Sequence, residues 1–166
     1  MTELTVRVLD EAEWQTYRRI RLASLESDPE AFAAGLAEEQ EYDEEMWRRR
    51  MRRSRRLLAE RGEQVVGVAS IGQARDEDGK AEGVAELFGM WVRPQDRGTN
   101  AAWELVTAAT KQARQEGYRL LRLWVSTENG RAIGFYSSYG FRPGDDRRPM
   151  VTDESVDEVA MVMPLA

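Results

Sequence analysis

The 166 residues contain no cysteine and no histidine. Without cysteine there is no disulfide, no thiolate nucleophile and no thiolate metal ligand. Without histidine the commonest general base and metal ligand is also missing. No metal is therefore expected, and catalysis has to rest on carboxylates, tyrosine, serine, threonine or backbone groups. Long apolar runs are missing too. Charge breaks each hydrophobic stretch within a few residues, and the opening Met-Thr-Glu-Leu-Thr-Val-Arg has no apolar leader segment. The expectation is a soluble, cytoplasmic protein with no membrane partner. A surplus of positive charge is absent as well: 30 acidic against 24 basic residues leave a net charge of −6. Nonspecific nucleic-acid binding draws on an excess of lysine and arginine, so nucleic acid is not an expected partner, although a local basic patch remains compatible with this balance.

What is present suffices for one core. The chain is 42% hydrophobic and has no internal repeat, linker or break in composition, so a single domain over residues 1–166 is expected. Leu4, Val6 and Val8 alternate with Thr5 and Arg7, which predicts a strand over 4–9. Asp10 followed by Glu13 resembles a capping box. Trp14, Tyr17, Ile20, Leu22 and Leu25 then recur at helical spacing, giving a helix over 11–27 that ends at Asp28-Pro29. Six acidic residues in 38–45 precede seven arginines in 48–56. On a helix Glu44 and Glu45 stand four residues before Arg48 and Arg49, with Trp47 and Met51 as the inward stripe, so the charge run reads as a solvated face. A further role for these arginines would be to border a pocket for an acidic substrate.

Segments 57–59 and 65–73 form a hairpin around Gly62, and 82–92 supplies the third strand of an antiparallel meander. Ala102, Leu105, Val106, Ala109 and Ala113 make a helical stripe with Gly117 as its C-terminal cap, and 120–125 is an apolar strand buried on both faces. Asn129 opens a short helix holding Ala132, Ile133, Tyr136 and Tyr139. Gly140 closes it, and Phe141 and 156–163 supply the last strands. The fold class is α/β (α+β), and the strand-helix-strand unit over 87–125 is expected to be a parallel crossover with ligands gathering beyond its strand ends.

The run from Val92 to Trp103 is the centre of the chain. A strand stops at Pro94, a polar turn comes next, and a helix begins with small residues beside Thr99 and Asn100. A helix start leaves about four N–H groups unpaired and carries partial positive charge, which suits a phosphate. There is no Walker lysine motif, and only Gly98 of a dinucleotide fingerprint is present.

Three stretches together resemble the GNAT superfamily of acyl-CoA-dependent N-acyltransferases. They are the strand end Met90-Trp-Val-Arg-Pro94, the turn Arg97-Gly-Thr-Asn-Ala-Ala102 in place of the family's Arg/Gln-x-x-Gly-x-Gly/Ala, and Asn129-Gly-Arg-Ala-Ile-Gly-Phe-Tyr136-Ser-Ser-Tyr-Gly-Phe141. With the element order, the resemblance spans nearly the whole chain. It implies a mostly antiparallel central sheet with a parallel, splayed strand pair and flanking helices. It implies acetyl-CoA as co-substrate and an acetyl group passed to a primary amine of a small molecule or peptide. The transfer would be direct, in a ternary complex, since no cysteine is available for a covalent relay. A homodimer is a family-level expectation. The backbone of Met90, Trp91 and Val92 would pair with the pantetheine arm, the amides of Arg97, Gly98, Thr99, Asn100, Ala101 and Ala102 would hold the pyrophosphate, and Asn129 would touch the cofactor.

Tyr136 stands at the family's position for protonating the leaving thiolate, a role suited to a phenol whose usual pKa is about 10. Arg97 would add a charge-assisted contact to the phosphates. A backbone N–H near Met90 or Trp91 would polarise the carbonyl. Glu86, a carboxylate in an apolar strand, is the choice for the general base. Plainer roles stand beside these: Gly98 permits a turn, Ala102 packs its helix on the sheet, Asn129 caps its helix, and Glu86 pairs with an arginine. Asn100 replaces the family's central glycine. It tolerates the left-handed backbone expected there better than other residues, but its side chain either covers part of the phosphate nest or donates to it. A site retained but weakened is expected, and a GNAT-like acyl-CoA-binding or sensory module is the alternative. The segments that would shape the acceptor pocket, the first helices and 143–157, carry no readable code.

Overall fold

Alternation of apolar residues and two glycine turns lay down the first half of the sheet. In the computed structural model, which describes residues 3–29 and 35–165, β1 (Leu4–Val8) is followed by a 3-10 turn and by the helices α1 (Trp14–Ser27), α2 (Leu36–Gln40) and α3 (Glu44–Arg53). A meander of β2 (Arg55–Arg61), β3 (Gln64–Asp76) and β4 (Gly79–Val92) comes next. Its two hairpin turns place Gly62 at φ +64 and Gly79 at φ +111, a region of backbone open to glycine at little cost. Then come α4 (Ala101–Gln115), β5 (Leu120–Ser126), α5 (Gly130–Tyr139), β6 (Arg142–Pro149) and β7 (Asp157–Pro164).

The seven strands form one sheet in the order β1-β2-β3-β4-β5-β7-β6, with every neighbouring pair antiparallel except β4 and β5. This is the mixed sheet with a parallel pair that the sequence implied. The expected helix over 11–27 begins as a 3-10 turn over Glu11–Glu13, and the Glu13 side chain accepts from the Asp10 N–H at 3.2 Å as a capping box requires. A strand was expected at Phe141, but not the course of β6 over 142–149, because that sequence, Arg-Pro-Gly-Asp-Asp-Arg-Arg-Pro, has turn composition. As an exposed edge strand it has no apolar alternation to display.

A core sits on each face. On one, Leu105, Val106, Ala109 and Ala113 of α4 pack against Leu57, Ala69, Leu87 and Leu121. On the other, Tyr17 and Ile20 of α1 and Trp47 and Met51 of α3 pack against Leu58, Val68 and Trp91. Each leucine, isoleucine, valine or methionine among them contributes roughly 1.5–3 kcal/mol on burial, so the faces anchor both helical layers.

The arginine run needs correction. Arg48 does pair with Glu44 at 2.9 Å on an exposed helix face, as expected. Arg50, however, reaches Glu39, a carboxylate only 1% exposed, at 2.7 Å, and Arg21 of α1 holds the same carboxylate at 3.0 Å. Arg56 lies in β2, not on the helix, and is buried. It donates to the Ser70 hydroxyl at 2.8 Å and to the Arg50 carbonyl at 3.0 Å, it lies 4.6 Å from the Tyr17 ring centroid, and burial lowers its pKa to about 10. The run crosses from helix to strand at Ser54, so its period changes and its C-terminal members turn inward.

Two features of β4 shape the sheet beyond Glu86. The strand pairs with β5 only through Val84, Ala85 and Glu86 opposite Leu120, Leu121 and Arg122, and past them no pairing joins the two strands. On its other edge Gly89 and Met90 together face Ala69, a bulge with Gly89 at φ +60. Bulges bend a strand and re-aim its groups. Among the described residues no helix is long and apolar enough to cross a membrane.

Candidate active site

Where β4 and β5 part, a cleft of about 520 Å³ opens, and it brings Glu86, Met90, Asn129 and Tyr136 together. Trp91, Val92 and residues 97–102 are outside its walls.

The turn between β4 and α4 is fixed from within. Arg93 pairs with Asp96, the Thr99 hydroxyl donates to the Asp96 carbonyl at 2.5 Å, and the Ala101 N–H donates back to the Thr99 oxygen at 3.3 Å. Among the described residues the N–H groups of Gly98, Asn100 and Ala102 have no acceptor. Gly98 has φ +82, with no atom within 4 Å of where a Cβ would stand. Asn100 precedes α4 at φ −82 and ψ 3, and its carbonyl accepts from the Glu104 N–H at 3.0 Å. The left-handed residue of the turn is therefore Gly98, not residue 100 as expected, because the short 3-10 turn over Pro94–Asp96 delivers the reversal two residues earlier.

Arg97 does more than face solvent. Its Nε donates to the Val92 carbonyl at 2.8 Å and its Nη2 lies 2.7 Å from Asp28, which also accepts from the Trp91 indole at 2.6 Å. Burial would raise the Asp28 pKa, but hydrogen bonds from Arg97 and Trp91 outweigh it and hold the carboxyl below its usual value. The Arg97 charge is thus already matched by a carboxylate.

Asn129 caps α5, its side-chain oxygen accepting from the Ala132 N–H at 3.1 Å, and it also lines the cleft. Tyr136 packs edge-on against Phe135 and Phe141, its hydroxyl has no hydrogen-bond partner among the described residues, and burial pushes its pKa up to about 12. Glu86 does pair with an arginine: its Oε1 accepts from Arg122 and from the Trp124 indole, both at 3.1 Å. Its other oxygen has no protein partner among the described residues and lies on a residue that lines the cleft.

Several cleft residues were not singled out from the sequence. Trp124 reads as one more apolar position in a buried strand. Arg148 and Glu158, joined at 2.8 Å, face each other across the β6–β7 pair that turn composition concealed. Arg21 sits on the inward helix face as a lone charge among apolar residues, which was the available signal.

The sequence model of the acetyltransferase (GNAT) family matches residues 9–141, from the end of β1 through α5. The chain belongs to this family. An uncharacterized N-acetyltransferase of Methanocaldococcus jannaschii is 40% identical over 58 residues, 35% of this chain and 26% of that protein. A mycothiol acetyltransferase of Sanguibacter keddieii is 29% identical over 85 residues, 51% of this chain and 27% of that one. The matches thus span about a quarter of either curated relative. A Salmonella typhimurium protein solved with its cofactor acetyl-CoA shares the fold at a TM-score of 0.74 and 21% identity, covering 98% of this chain and 94% of that one. In this GNAT chain the match includes Glu86, the 97–102 turn and Tyr136, and ends before β6 and β7. Among the described residues no group of three or more metal-ligating side chains occurs.

Proposed function

We infer that the chain is an N-acetyltransferase that passes an acetyl group from acetyl-CoA directly to a primary amine of a small molecule or peptide. The observation that carries this reading is the cleft where β4 and β5 part, with Glu86 and Tyr136 on its walls; beyond those walls, past the end of β4, comes the turn whose Gly98, Asn100 and Ala102 amides lack acceptors. The fit to the co-substrate is physical. An unpaired strand edge suits the amides of a pantetheine arm, and free N–H groups ahead of a fifteen-residue helix suit a pyrophosphate. The open side of Gly98 lets phosphate oxygens come near.

Bound acetyl-CoA supplies a thioester and, after transfer, a thiolate that needs a proton. Tyr136 keeps its proton at neutral pH and can donate it from Oη. Glu86, oriented by Arg122 and Trp124 through one oxygen, offers the other to the incoming amine or to a water beside it. Arg97, tied to Asp28, would hold the strand end against α1 and secure the turn instead of neutralising phosphate. The alternative of a binding module drew on Asn100; that Gly98 supplies the positive φ of the turn supports the enzyme instead.

The test is thermal and chemical. Acetyl-CoA at about a hundredfold excess over its Kd should stabilise the fold by about 2.7 kcal/mol. Free adenosine should do far less, and a primary amine should then release free thiol. Equal stabilisation by both ligands, or binding without thiol release across an amine panel, would overturn the reading.

A further inference from the structure

The cleft has an indole wall, and that wall already holds a cation. Trp124 lines the opening, and its Nε1–H donates to Glu86 at 3.1 Å. Over its ring, 4.1 Å from the centroid, lies the Arg148 guanidinium, whose Nε donates to Glu158 Oε1 at 2.8 Å. The negative face of an indole and an adjacent carboxylate together form a seat for a positive charge.

The present occupant is the kind that can leave. Arg148 belongs to the edge strand β6 and its side chain is 47% exposed, whereas that of Glu158 is 18% exposed and stands on β7, paired on both sides. An exposed pair of this sort is weakly held. When Arg148 swings into solvent it leaves behind the indole face and Glu158, with Glu86 at the indole nitrogen. Arg122, by contrast, is buried and bound to Asp76, Glu86 and the Arg75 carbonyl, so it stays.

We propose that Arg148 is a stand-in for the acceptor, and that the acceptor is a diamine or longer polyamine. Its non-reacting ammonium displaces Arg148 from Trp124 and Glu158 while its reacting amine lies toward Glu86. The proposal rests on the acetyltransferase reading above. A carboxylate-bearing acceptor fits less well, because Glu86 and Glu158 both line the cleft and repel its charge, while Arg21 is engaged by Glu39. The net charge of −6 also draws cations toward the molecule. Arg148 and Glu158 of the seat stand on β6 and β7, beyond the residues that match the family, which is where a feature particular to this chain is to be sought.

The experiment is calorimetric titration of the full chain saturated with coenzyme A, using 1,4-diaminobutane, butylamine and 4-aminobutyrate as probes. Binding of coenzyme A itself tests the enzyme reading separately. Given that binding, diaminobutane should bind more tightly than either other probe. Arg148→Ala should tighten it by about fivefold or more, and Glu158→Gln should weaken it by about tenfold, with butylamine little changed in both. Unaltered coenzyme A affinity in Glu158→Gln shows that the variant is folded. The proposal is overturned if 4-aminobutyrate binds best, or if Arg148→Ala leaves diamine affinity the same or lower.

Discussion

At Tyr136 two circumstances meet: burial raises the phenol pKa to about 12, and the hydroxyl has no competing protein partner among the described residues. The neutral form is favoured in the fold, so its stabilising effect is complete below the unfolded value of about 10 and is lost as pH rises through about 12. In turnover the same shift moves any alkaline limb due to Tyr136 up to about pH 12. The rate should therefore climb as the amine deprotonates and show no decline from this group near pH 10. Tyr136→Phe should lower kcat roughly ten- to a thousandfold, with acetyl-CoA affinity nearly unchanged, as pH-rate profiles and calorimetry would show. A fall of the wild-type rate near pH 10 that disappears in Tyr136→Phe would mean that burial does not act as described. Tyr136 and Asn129 were legible because each sits in a local pattern. Asp28 was not. It reads as a helix terminator before Pro29, and its partners Trp91 and Arg97 lie 63 and 69 residues away, a separation that no local period encodes.

Among the elements, α1, α2 and α3 meet at Glu39. Burial would raise its pKa, but hydrogen bonds from Arg21 and Arg50 outweigh that and hold the carboxyl below its ordinary value. A depressed carboxylate contributes stability that is fully present above the unfolded value of about 4.3 and is lost as pH falls through the lower folded value. Glu39→Gln leaves two guanidiniums short of a buried partner and should cost roughly 3 kcal/mol at pH 7. The penalty should stay level down to about pH 5 and shrink in acid. Urea unfolding of both forms at several pH values measures it, and a penalty that persists undiminished in strong acid would assign the loss to packing. The helices α4 and α5 and the meander were readable because one face of each is apolar at a regular period. β6 and the inward arginines were not, since an edge strand shows no such face and a buried charge looks like any other charge until its partner is known.

Taken whole, the sheet is two pieces joined at a seam three residue pairs long, Val84 to Glu86 against Leu120 to Arg122. The piece β1–β4 is held by α4 on one face and by α1 and α3 on the other, whereas β5, β7 and β6 have fewer helices over them. Local opening follows packing, so amide hydrogens of β6 and β7 should exchange faster than those of β2 and β3. Acetyl-CoA, bridging the split, should slow exchange in both pieces; protection confined to one of them would mean that the ligand does not lie between the strands. The seam also bears on how the protein keeps in solution. Past Glu86 the edge of β4 offers backbone donors and acceptors that no neighbouring strand claims. Such an edge is sticky toward any extended chain, another copy included. The ligand that fills the split would then serve as a temporary edge cover, and ligand-free protein should scatter more light than ligand-bound protein at the same concentration.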